Sequence, residues 1–330
     1  MMIDRGSDLA QALVLSSRTA RLGEAMRTAQ SEMATGVRAD LHAATGGDLA
    51  RLHQLDTLLS RRTGDLDAIT RFEQRAAMAE TALANAAGLL EGRSEAVLAA
   101  VGFEDMPRLR SEALRAESAI EDVVAQLNTR LGDRAIFAGA AVGEMALEPG
   151  RLLVELRSAI AAWPGDPDTA IAAFFAPGGG FETAIWQGAD AVPTRLSDGG
   201  TLGVPPTGAD PAIRSVLEGL ARIALSTDPG IAPSGDADAE LARSGARLLA
   251  TGEAALASLR GTLGTERERQ DRAAAAIGAE RAGLEIARGE LVGADPYDAA
   301  TRLQMLQGQL EALFVTTARL SELSLTRFIR

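Results

Sequence analysis

The chain has 330 residues, enough for two or three domains of ordinary size. Its 45 acidic residues outnumber 33 basic ones, every one of them arginine, for a formal net charge of −12. With no lysine and no cysteine there is no Walker A or Schiff-base lysine, no thiol nucleophile, no zinc–thiolate site and no disulfide. An acidic chain without a basic block is not built for nucleic acid. The longest uncharged run, 169–181, is 13 residues and broken by Pro and Gly, so no membrane insertion is expected. The first residues carry Asp4 and Asp8 and no apolar core, so no cleaved signal peptide is expected.

The first helix is marked by Leu15, Thr19, Leu22, Met26, Ala29 and Met33, spaced 4, 3, 4, 3, 4, a 3.5-residue repeat. Ala-, Leu-, Arg- and Glu-rich sequence predicts further helices over 48–101, 107–131 and 237–291. Gly261 and Gly264 are candidate break points in the last of these. At the C-terminal end, Asp295-Pro296-Tyr297-Asp298 is a helix start, with Asp as N-cap and Pro at N1. Gly293 is placed to end the helix before it. Leu303, Leu306, Leu310, Leu313, Thr317 and Leu320 then repeat at 3, 4, 3, 4, 3, matching the first helix.

The middle differs. Ten of the twelve prolines and five of the eleven aromatics lie between 149 and 233. Short helices are expected over 152–163 and 168–175, and a new start at Asp210-Pro211. The runs 181–187 and 192–196, separated by Gly188-Ala189-Asp190-Ala191, form a hairpin candidate.

The expected fold is therefore mainly α: a long helical hairpin or bundle formed by the N- and C-terminal regions, with a small inserted α+β domain. Residues 1–45 and 294–330 form the expected terminal coiled-coil assembly domain, 46–139 and 211–293 a helical core, and 140–210 a peripheral insertion. Two paired helices cannot bury more than one stripe each, so partner subunits are expected to complete the terminal core. The expected assembly residues are Leu15, Leu22, Met26, Met33, Leu303, Leu306, Leu310, Leu313 and Leu320.

No catalytic constellation emerges, and neither a metal nor a cofactor is expected. Gly178-Gly179-Gly180 lacks phosphate-loop spacing and reads as a loop. Asp228, Asp236, Asp238 and Glu240 lack EF-hand spacing and read as helix capping. His42 and His53 read as surface residues. Arg61-Arg62 and Glu266-Arg267-Glu268-Arg269 read as solvated faces. A hydrolase using Asp190 and Asp198 is the enzyme alternative, and a cytosolic coiled-coil scaffold the non-enzyme one.

Three segments resemble the flagellin superfamily. TAQSEMATGVR at 28–38 is similar to the family's turn after the first helix. LNTRLGDRAIFAG at 127–139 is similar to the segment preceding the family's variable insertion. The stretch 295–330 resembles its C-terminal assembly helix. Within the superfamily, the ending Leu323-Ser324-Leu325-Thr326-Arg327-Phe328-Ile329 resembles the hook–filament junction branch. Only two asparagines, Asn85 and Asn128, are present, unlike the Asn-rich filament subunits, which remain the alternative. The resemblance implies a structural subunit, not an enzyme, exported through the type III pathway to the extracellular flagellum. It implies as partners other copies of itself in a ring or helical assembly, flagellin, the preceding hook-associated protein and an export chaperone.

Overall fold

The computed structural model describes residues 4–141, 145–163, 166–232 and 236–328, with side chains omitted at 4–9, 11–12, 236–237 and 320–328. It is mainly α. Ten helices are seen among the described residues: α1 (Asp4–Thr35), α2 (Leu41–Ala44), α3 (Ala50–Leu90), α4 (Arg93–Gly102), α5 (Met106–Leu127), α6 (Leu152–Ala162), α7 (Pro167–Phe175), α8 (Pro211–Leu225), α9 (Asp236–Val292) and α10 (Pro296–Phe328). One ladder, β1 (Arg130–Leu131) against β2 (Arg134–Ala135), is antiparallel.

Aspartate followed closely by proline starts four helices. Asp105, Asp166, Asp210 and Asp295 each accept a hydrogen bond from a first-turn backbone N–H, of Arg108, Thr169, Ala212 and Tyr297. The carboxylate satisfies a donor that has no helical partner, and proline lacks the N–H that would otherwise stay unpaired.

Several expectations change. The stretch expected as one helix over 48–101 is two, because Gly92 adopts φ +74 and ends α3. By contrast α9 runs unbroken through Gly261 and Gly264. Leu256, Leu263 and Ile277 are buried along it, and that burial outweighs the roughly 1 kcal/mol each glycine costs. The hairpin expected over 181–196 is absent. Phe181–Ile185 is a single π-helical turn with both end residues buried, and the rest makes isolated bridges, Leu147 with Trp186, Gly139 with Ala189 and Arg195 with Thr201. A short apolar run fits strand and helix equally well, and packing decided.

The chain divides into two compact units: a terminal unit, Met1–Thr63 with Gly278–Arg330, and a central unit, Gly64–Ile277. In the central unit α5 packs on α8 and α4, and α7 on α6 and α8. The fully buried large side chains include Phe72, Phe137, Phe181, Leu83, Ile120 and Leu147. The buried residues of 146–202 belong to the same continuous cluster as those of α5 and α8. One buried guanidinium, Arg222, is held by Glu218 at 2.8 Å and by Asp168, which compensates a charge that would be costly alone.

The segment 127–139, singled out from sequence, stitches this unit together. It holds the observed ladder, so the helix expected to reach 131 stops at Leu127. Asn128 then behaves like a strand residue: its Nδ2 donates to Leu147 O at 2.8 Å and its Oδ1 accepts from Leu147 N at 2.9 Å. Ile136, Phe137 and Ala138 are buried. Gly139 has φ +63, and a Cβ there would lie 1.8 Å from Ala189 O. Only glycine fits.

Candidate assembly interface

The terminal unit is built around one antiparallel pair, α1 on α10. Both helices carry the 3.5-residue stripe, and pairing lets each cover the other's apolar positions. Leu15, Leu22 and Met26 on α1 and Leu303, Leu306, Leu310 and Leu313 on α10 are half-buried. The side chain of Leu320 lies outside the described residues. Met33 is 46% exposed, while Ala29 and Glu32 are buried. A straight helix turns every 3.6 residues and drifts about 20° per heptad from a 3.5 repeat, which carries Met33 off the seam.

The end of the pair is locked by a corner. Gly36 takes φ +66 and donates to Glu32 O at 2.9 Å, closing α1. Val37 and Gly293 form an antiparallel bridge. It is flanked by Arg38 N donating to Val292 O and Ala294 N donating to Gly36 O, both at 2.9 Å. Arg38 Nε donates to Gly293 O at 3.0 Å. Glu32 completes the lock, its Oε1 accepting from Ala39 N at 3.0 Å and its Oε2 from Arg302 Nη1 at 3.1 Å. No heptad rule marks Glu32 or Arg302 in the sequence; their meeting depends on the corner. Ion pairs Arg288–Asp56 at 2.7 Å and Arg62–Glu280 at 3.0 Å hold α9 to α3 in the same unit.

The pair leaves large apolar side chains exposed on both helices. Leu13 and Val14 on α1 and Met305, Phe314 and Val315 on α10 are between 49% and 62% exposed.

Residues 249–329 match the model of the bacterial flagellin C-terminal helical region. The likeness to flagellin lies in this C-terminal part of the chain. The matched residues take in most of α9 and all of α10, so the match spans one full member of the terminal pair. Among solved structures, FlgL from Bacillus cereus is 12% identical, with a TM-score of 0.47 over 72% of this chain and 100% of that one. A protein described as a flagellar hook-associated protein, from Vibrio parahaemolyticus, is 13% identical, with a TM-score of 0.48 over 73% of this chain and 96% of that one. With both scores under 0.5, neither superposition carries an argument. No curated protein sequence matches the chain.

The other sequence candidates fall into ordinary roles. His42 and His53 are exposed on α2 and α3. Asp198 accepts from Gly200 N in a turn, and Asp190 is exposed. Gly180 lies against the Phe174 ring in the loop after α7. Asp228 caps a turn through Gly230 N and pairs with Arg157, while Glu240 pairs with Arg243. Arg267, expected to be solvated, instead bridges α9 to α3 through Glu73 at 3.1 Å and Glu80 at 2.5 Å. Among the described residues no cluster of three metal-ligating side chains occurs, and no described helix is long and apolar enough to cross a membrane.

Proposed function

We propose that this chain is a structural subunit of the bacterial flagellum that joins hook to filament through its terminal helices. The observation that carries this reading is the exposed apolar surface of the α1–α10 pair, whose second helix matches the flagellin C-terminal helical region. Neighbouring copies, flagellin and the preceding hook-associated protein are the partners that cover it, and an export chaperone covers it before secretion. Export proceeds without a cleaved signal. The junction position, as against the filament, is supported by the ending Leu323-Ser324-Leu325-Thr326-Arg327-Phe328-Ile329 and by the scarcity of asparagine.

The test is immunogold labelling of flagella with antibody to this chain, alongside a deletion strain. The expected result is a single labelled band between hook and filament, and hooks without filaments in the deletion. Label along the whole filament makes the chain a filament subunit. A cytosolic protein absent from flagella overturns both and leaves a coiled-coil scaffold.

A further inference from the structure

Three arginines of the central unit meet in one cleft of about 460 Å³: Arg71 and Arg75 from α3, and Arg134 from β2. The carboxylate among the lining residues, Asp133, is on an exposed turn. Arg134 donates to Gly139 O at 3.1 Å. Arg71 and Arg75 make no hydrogen bond or ion pair among the described residues. Burial, then the charges of Arg134 and Arg71, push the Arg75 guanidinium below its ordinary pKa. Like charges gathered in a half-enclosed cleft repel and lack compensation.

The same unit carries the opposite patch. Glu91, Glu95 and Glu253 lie close enough for the first two charges, added to burial, to raise the pKa of the third. The Oε1 of Glu253 is buried without a hydrogen-bond partner. Leu98, 39% exposed, follows Glu95 on the outer face of α4. The arginine cleft has its own apolar rim in Leu131 and Val192, the latter 76% exposed. Each patch therefore offers charge beside exposed aliphatic surface, with opposite signs. Arg71 and Arg75 lie within α3, whereas Glu91 lies past its end and Glu95 on α4. The cleft's lining includes neither Glu91 nor Glu95, so a contact between the two patches calls on a second copy.

We propose that the arginine cleft of one copy receives the Glu91–Glu95 face of the next, a head-to-tail contact that repeats from subunit to subunit. Such a contact is heterologous, and it closes into a ring or continues as a helix according to its rotation. Bidentate guanidinium–carboxylate pairing gives the contact its register. The inference rests on the self-assembly proposed above and names the surface used by the central unit.

The chain contains no cysteine, so introduced thiols report alone. The double variant Arg71→Cys, Glu95→Cys is expressed in cells lacking the native copy, and isolated flagella are treated with a short bis-maleimide. A direct disulfide is not sought, because an ion-pair geometry holds the Cα atoms too far apart. The expected result is a ladder of covalent multimers, with either single variant giving no product larger than a dimer. Adding Arg75→Glu should abolish the ladder, and adding Glu91→Arg to that variant should restore it. A loss of fold cannot be rescued in this way. Flagella that contain the chain but yield no ladder overturn this inference and leave the junction reading standing. Absence of the chain from flagella overturns both.

Discussion

Glu32 and Arg302 come from opposite ends of the chain and meet at 3.1 Å, with Glu32 also accepting the Ala39 N–H. The carboxylate is buried while the guanidinium is half-exposed, so the backbone bond carries more of the energy than the ion pair. Glu32→Ala should cost the terminal unit about 0.5–1.5 kcal/mol, the usual net worth of a hydrogen bond, because the Ala39 and Arg302 donors left behind are reached by water. Hydrogen exchange should quicken in α1 and in the first turns of α10. Unchanged exchange there would show that the corner holds without Glu32.

The terminal pair should be the least protected part of an isolated monomer. Its buried side chains among those described are Ala29, Glu32 and Ala299, whereas every large, fully buried side chain lies in the central unit. Ordering costs about 1–2 kcal/mol per residue, and a single seam offsets little of it. In hydrogen exchange on a verified monomer, residues 4–35 and 296–328 should exchange far faster than α5 and α8. Equal protection would favour a self-sufficient coiled coil.

Two variants separate the internal seam from the exposed apolar side chains. Leu310→Asp with Leu313→Asp puts charge into the α1–α10 seam, at several kcal/mol, and filament attachment should fail while the central unit keeps its protease resistance. Met305→Ser with Phe314→Ser alters exposed groups and should leave monomer stability within about 0.5 kcal/mol. Attachment should still fail. Normal filaments on the second variant would remove Met305 and Phe314 from the assembly surface.

The Asn128 and Gly139 positions should be intolerant. Asn128→Ala leaves the Leu147 N–H and C=O without their partners, for about 1–3 kcal/mol. Gly139→Ala forces a Cβ into Ala189 O and should prevent the central unit from folding normally. Thermal melts of both variants provide the check, with the alanine at 139 the more damaging.

Glu253 should make stability depend on pH. Burial, then Glu95 and Glu91, raise its pKa in the folded chain. A carboxylic acid whose pKa is raised on folding is stabilising when protonated, and that contribution is lost as pH rises from the ordinary carboxylate value through the raised one. Glu253→Gln should therefore melt higher than the parent near pH 7, by no more than about 1 kcal/mol after solvent screening. The gain should vanish below about pH 4, where the parent is protonated in both states. A gain that persists in acid would point to packing rather than charge.

Much of this molecule was legible in the sequence. The paired heptad stripes mark both terminal helices, and the Asp-Pro start with Gly293 before it locates the boundary between α9 and α10 nearly to the residue, because those signals act within one or two turns of chain. The composition of 149–233 marked short, proline-broken elements for the same local reason. Tertiary contact decided the rest. Whether 181–185 became strand or helical turn depended on the cavity awaiting Phe181 and Ile185, and Gly261 and Gly264 stayed helical because α9 is held along its length by Leu256, Leu263 and Ile277. The Glu32–Arg302 lock and the arginine cleft join residues far apart in sequence. No local propensity encodes such a pair: its energy exists only once packing has brought the two groups into one low-dielectric place.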